Sequence, residues 1–174
     1  MNNSFDIYDK LSIAINSGNG RSLNNILFEI EYSNLSKNQV DDRLISIILN
    51  VLTQAENYPE ISIEKIILFI GSDFGKFTKV QSIRLLNSLM KISQNEFVVR
   101  LKIIIGDLIG HRYPVSAALD FCEVLIKNVN LEKNHQHEMT PILSAVFLWL
   151  KEKEAEFSKS QFTSYKKIRK FIGL

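Results

Sequence analysis

Ile61-Ser62-Ile63-Glu64-Lys65-Ile66-Ile67-Leu68-Phe69-Ile70 is the stretch on which the fold turns. By composition it is β-prone, because Ile66-Ile67-Leu68 sets branched side chains next to one another. Its spacing points the other way. Ile63, Ile66, Ile67 and Ile70 fall at i, i+3, i+4 and i+7, one stripe of a 3.6-residue period, and the alternation of a half-buried strand is absent. Leu23, Ile26, Leu27 and Ile30 repeat the pattern, and Ile103-Ile104-Ile105 reads as buried positions within a longer helical one. Seven glycines and three prolines in 174 residues leave little punctuation for a sandwich or a barrel. An all-α chain is expected, as a single domain over residues 1–174.

Start and stop signals divide the chain into about nine helices, roughly 4–17, 22–33, 37–56, 62–73, 79–93, 96–109, 114–128, 141–155 and 159–172. Ser36 with Gln39, Thr78 with Gln81 and Ser158 with Gln161 have the spacing of capping boxes, in which a hydroxyl takes a free backbone N–H and the glutamine reaches back. Asn95 and Ser62 are further N-cap candidates. Thr140-Pro141 and Tyr113-Pro114 place proline at a first helical position. Gly18, Gly75 and Gly110 stand where helices should stop. The odd-numbered helices begin near residues 4, 36, 78, 114 and 158, roughly the 40-residue period of paired-helix repeats. The pattern resembles a short HEAT- or armadillo-like α-solenoid, with an irregular helical bundle as the alternative. Either buries apolar stripes between helix hairpins and leaves an extended surface for a partner.

The opening residues MNNSFDIYDK carry two aspartates and lack a basic n-region followed by an apolar core, so a secretory signal is not expected. No apolar run approaches the ~20 residues needed to cross a bilayer. Cys122, the single cysteine, sits in the apolar run Ala117 to Leu125 and reads as a buried helix position. A cytoplasmic protein is expected. Its net charge of +2 is unevenly distributed: residues 1–75 carry −5, residues 76–150 carry +3 and residues 151–174 carry +4.

Motifs with chemistry attached are weak. Gly71-Ser72-Asp73-Phe74-Gly75-Lys76-Phe77-Thr78 fails as a phosphate loop, because three residues rather than four separate its glycines and Phe77 parts Lys76 from Thr78. It reads as a helix stop and a new cap. His135, His137 and Glu138 could offer two imidazoles to a metal, yet neither Cys122 nor His111 completes a ligand set, and a polar interhelical linker is expected. His111, Asp107 and Glu123 are scattered polar residues without the spacing of a catalytic triad. Gly106 and Gly110 form Gly-x-x-x-Gly, read as a helix end, while Phe147 and Trp149 are expected in the core. No cofactor or metal is expected, and the chain reads as a binding module rather than an enzyme.

Two charged groups could meet a partner. Lys166, Lys167, Arg169 and Lys170 interleave with Tyr165, Ile168, Phe171 and Ile172. Such a stretch could hold nucleic acid, but it reads more simply as the solvated face of a terminal helix, and 15 lysines against 6 arginines argue against bidentate phosphate recognition. The other group is acidic: Glu29, Glu31, Asp41, Asp42, Glu56, Glu60 and Glu64. Asp41, Asp42 and Glu64 suit helix N-termini through the dipole, and the rest exceed what capping requires. An acidic face would speed association with a basic protein and could cover a positively charged cleft.

In size and organisation the chain resembles the α-helical immunity proteins that accompany contact-dependent growth inhibition toxins and other polymorphic toxins of bacteria. No signature motif carries the resemblance, and no binding residue transfers from it. It implies specific neutralisation of one cognate toxin domain inside the producing cell, as a monomer in a 1:1 complex. With the charge pattern it leads to the expectation that the acidic set occludes the basic active site of a nuclease. A helical-repeat nucleic-acid-binding or scaffold protein using the basic C-terminal helix is the alternative.

Overall fold

A computed structural model of the chain describes residues 6–33, 39–94, 97–131 and 136–174. Among these residues the structure holds nine α-helices and no strand. The stretch 61–70 lies in the helix Glu60–Asp73, with Ile63, Ile66, Ile67 and Ile70 fully buried, as their period requires. The chain, expected as one domain, divides into two compact units, Met1–Ile92 and Ser93–Leu174.

The first unit holds α1 (Ile7–Ser17), α2 (Gly20–Ser33), α3 (Asp42–Thr53), α4 (Glu60–Asp73) and α5 (Lys79–Ile92). α1 packs on α2 and α3, α2 on α4, and α3 on α4 and α5. Each helix thus meets the one two places along the chain, the neighbour relation of stacked helix hairpins. Gly18, at φ 64°, closes α1 in the left-handed conformation that glycine adopts at least cost. Of the three expected stops it alone acts this way: Gly75 lies in a 3-10 turn, Phe74–Lys76, and Gly110 lies inside a helix.

The second unit holds α6 (Val99–Arg112), α7 (Val115–Leu131), α8 (Gln136–Glu152) and α9 (Lys159–Phe171). α7 packs on α6, α8 and α9, and α8 on α9, but the closest approach is between α6 and α8. Gly106 and Gly110, expected at a helix end, make that approach possible. A Cβ on Gly106 would stand 2.6 Å from the Ile142 carbonyl oxygen, and one on Gly110 2.8 Å from Trp149 Cβ. α8 starts at Gln136 rather than Pro141, which stands inside the helix. Proline's missing N–H is free only in the first turn, and as the sixth residue of α8 Pro141 leaves that helix one i−4 bond short.

Capping explains most boundaries. The Thr78–Gln81 box forms with 3.2 and 2.8 Å bonds, and the Ser158–Gln161 box with 3.3 and 2.9 Å bonds. Ser36 and Asn95 lie outside the described residues. Gln39 precedes α3 without entering it, because Asp41 is the N-cap and accepts from the Arg43 N–H at 2.8 Å. Ser62 caps nothing: it is two residues inside α4, whose N-cap is Pro59. A local device absent from the sequence reading recurs at four corners. Tyr58-Pro59, Phe77-Thr78, Tyr113-Pro114 and Phe157-Ser158 each put an aromatic residue in extended backbone immediately before a new helix. Three of these corners follow a one-turn 3-10 helix (Ala55–Asn57, Phe74–Lys76, Glu154–Glu156), so the chain tightens, extends for one residue and restarts.

Candidate partner-binding surface

The structure does not gather the seven acidic residues onto one face. α2 and α4 run parallel, since a Cβ on Gly20 would lie 3.0 Å from Ile61 Cγ1 while Phe28 and Glu31 share a groove with Leu68 and Ser72. α1 and α3 run antiparallel to them, so their N-termini lie at the end where α2 and α4 finish. Glu29, Glu31, Asp41 and Asp42 therefore belong to one end of the first unit. Glu56 and Glu60 belong to the other, beside the α1–α2 turn that Pro59 packs against. The length of α4, ~20 Å at 1.5 Å per residue, separates the two groups. Glu64 is 9% exposed and already holds an interaction of its own, so it is not placed to meet a partner.

Asp41 and Asp42 are used internally. Besides capping α3, Asp41 lies near the Tyr8 hydroxyl and bears on its ionisation. Burial first, then the negative charges of Asp41 and Asp6, raise the Tyr8 hydroxyl above the ordinary phenol range, against the opposing pull of Arg43. Arg43 pairs with Asp6, bonds Asp9 at 3.0 Å and lies 5.2 Å from the Tyr8 ring centre. Asp42 accepts from Gln81 Nε2 at 3.3 Å, tying the start of α3 to the capping box of α5. Asp6 and Asp9, the two aspartates of the opening residues, stand at i, i+3 spacing at the start of α1, the sequence signal that they act together.

Glu29 and Glu31 have different company. Phe28 and Tyr32, one turn apart on α2, are 68% and 70% exposed, and Leu68 on α4 is 45% exposed. Between α2 and α4 runs a groove of about 460 Å³, walled by Asn24, Phe28 and Glu31 on one side and Lys65, Leu68 and Ser72 on the other. Sequence reading passed over these aromatics because an apolar residue adjacent to a helical stripe is normally covered by the next element. Here Leu23, Leu27 and Ile30 face the core, and Phe28 and Tyr32 do not.

The remaining candidates resolve as follows. Lys76 bonds Asp73 at 2.8 Å across the 3-10 turn, so the apparent phosphate loop spends its lysine internally. α9 buries Tyr165 and Ile168 and exposes Lys166, Lys167, Arg169 and Lys170; Lys167 meets Glu123 at 3.3 Å and Lys166 lies 4.5 Å from the Phe162 ring centre. Phe147 is core, stacked on Tyr165 at 4.9 Å. Trp149, expected in the core, is half-buried: its ring stacks on His111 at 4.4 Å and its N–H donates to Asp107 at 3.1 Å. Gly110, which has no side chain, leaves room for the indole to lie against α6. His111 and Asp107 thus meet through an indole, and Glu123 lies elsewhere, beside Lys167. His135 lies outside the described residues. Among those described there is no group of three metal-ligating side chains, and no helix is long and apolar enough to cross a membrane.

No protein-family model, curated protein or solved structure matches the chain.

Proposed function

We propose that the chain is a binding module that neutralises a cognate toxin domain, in the manner of the helical immunity proteins it resembles, in the cytoplasm of the bacterium that makes both. The observation that carries the reading is the end of α2, where Glu29 and Glu31 lie beside two aromatic residues that are each about 70% exposed. Exposed aromatics flanked by carboxylates supply both parts of a protein interface: desolvated anchors that slow dissociation, and charge that steers a basic partner. A basic nuclease domain is the partner such a surface favours, bound one to one and without catalysis by this chain. Glu29, Glu31, Glu56 and Glu60 are the members of the acidic set that remain available for it, while Asp41 and Asp42 shape the fold around them.

The test uses the C-terminal domain of a toxin-like exported protein, sought in the reading frame next to this gene. Its association with the wild-type chain is compared with that of a Glu29→Lys/Glu31→Lys variant at about 20 and 200 mM salt. Slower association for the variant, with a difference that shrinks at high salt, is expected. Equal rates at low salt would overturn the assignment of these residues. Retention of nucleic acid by the wild type, lost when Lys166, Lys167, Arg169 and Lys170 become alanine, would favour a nucleic-acid-binding protein instead.

A further inference from the structure

We infer that the groove between α2 and α4 is the seat of a basic amphipathic helix of the partner, with an apolar side chain between Phe28 and Leu68 and a lysine or arginine against Glu31. The inference rests on the reading above that the partner is a protein.

The groove selects its occupant in three ways. First, its walls are helical side chains. No strand exists among the described residues, so an extended peptide finds no sheet edge to pair with, and recognition falls to side chains at helical spacing. Phe28 and Glu31 on one wall, and Leu68 and Ser72 on the other, stand one turn apart, which matches the i, i+3 and i, i+4 spacing of an incoming helix. Second, its floor is apolar, with buried Leu27 and Phe69 beneath the exposed rims of Phe28 and Leu68, so an apolar side chain entering it leaves water on its inner side. Third, the groove is electrically polar along its length. Lys65 stands at the end near Gly20, and Glu31 at the other end with Glu29 on the same turn of α2. α2 and α4 are parallel, so both helix C-termini, each with its partial negative charge, lie at the Glu31 end. The Glu31 carboxylate and two helix dipoles act there in the same direction. A cationic group is favoured at that end.

A fluorescein-labelled leucine/lysine model helix of about four turns is a probe that needs no knowledge of the natural partner. Anisotropy titration of the full chain should give saturable binding. In the Phe28→Ser/Leu68→Ser variant the affinity should fall by at least about tenfold, the size expected when anchor side chains are removed. A leucine/glutamate helix of the same pattern should bind at least about tenfold more weakly than the leucine/lysine one, and amide shifts of the chain on adding the probe should concentrate on α2 and α4. Because both substituted residues are exposed, circular dichroism and melting should show the variant folded. Equal affinity of variant and wild type, equal affinity for the two helices, or shifts centred outside α2 and α4 would each overturn the inference. The two readings fail separately. If the cognate domain is captured while the probe ignores Phe28 and Leu68, the groove assignment falls and neutralisation stands. If the probe binds through Phe28 and Leu68 but the cognate domain is not captured, neutralisation falls and the groove remains a helix seat.

Discussion

The Ser62 hydroxyl, fully buried in α4, donates to the backbone carbonyl of Ile15 in the last turn of α1 at 2.7 Å. Helix ends leave carbonyls without intrahelical donors, and a buried one must find a partner. The Gly18 N–H reaches this carbonyl at 3.3 Å, and Ser62 adds a shorter bond across 47 residues of sequence, pinning the first hairpin of the unit onto α4.

Ser62→Ala should therefore destabilise the first unit by about 1 kcal/mol, the net worth of one buried hydrogen bond, while the Ile15 carbonyl keeps the Gly18 N–H. Urea unfolding of the variant should show a lower midpoint with an unchanged slope. A midpoint equal to that of the wild type would mean that water replaces the hydroxyl.

In the second unit, alanine at Gly106 or Gly110 tests the close contact of α6 with α8. Alanine gains about 1 kcal/mol in helix propensity over glycine. Against it, the added methyl at position 106 would meet the Ile142 carbonyl at 2.6 Å and Ala145 Cβ at 2.7 Å, and backbone cannot swing aside. Overpacking of this kind costs about 1–3 kcal/mol before any propensity gain, so a net loss is expected at Gly106. Gly110→Ala, which meets Trp149 Cβ at 2.8 Å, should also displace the indole and change its fluorescence. Gly75→Ala, with nothing within 4 Å, is the control and should leave stability within about 0.5 kcal/mol of wild type. A thermal melt of Gly106→Ala at or above the wild-type midpoint would contradict the clash.

The second unit should also weaken in alkali. Burial, and secondarily the charge of Glu123, push the Cys122 thiol well above its ordinary value of 9.0, and burial pushes the Tyr113 hydroxyl above its ordinary 10.0. Both groups stay protonated in the folded state while the unfolded chain releases their protons. Their contribution is intact below the unfolded values and is lost as pH rises above about 9 for the thiol and about 10 for the phenol. Each group can raise the unfolding constant by up to about tenfold per pH unit in that range. Unfolding followed from pH 7 to 11 should show this slope, and Cys122→Ala should reduce it. At pH 8 the native thiol should resist a disulfide reagent and react only on unfolding. Rapid reaction of the folded protein would show the thiol to be accessible.

What the sequence determined by itself was the local part of the structure. The isoleucine stripe of α4, the two capping boxes and the left-handed glycine after α1 depend on bonds and contacts within a few residues, so their spacing was enough to place them. The same holds for α9, where alternation of bases with Tyr165 and Ile168 already assigned an inner and an outer face. Tertiary structure decided everything that depends on which helix lies beside which. The spacing of Gly106 and Gly110 is the same for a helix end and for a contact with α8, and only the packed partner distinguishes them. Trp149 is apolar enough for a core, yet it is half-buried, its indole lying on Gly110 and bonded to Asp107. The seven acidic residues looked like one group because they are neighbours in sequence. Parallel packing of α2 and α4, with α3 returning between them, sent Glu29 and Glu60 to opposite ends, buried Glu64, tied Asp41 and Asp42 into the frame, and left Phe28 and Tyr32 beside the two carboxylates of α2. Charge can be counted along a chain, but a surface is made by the chain folding back on itself.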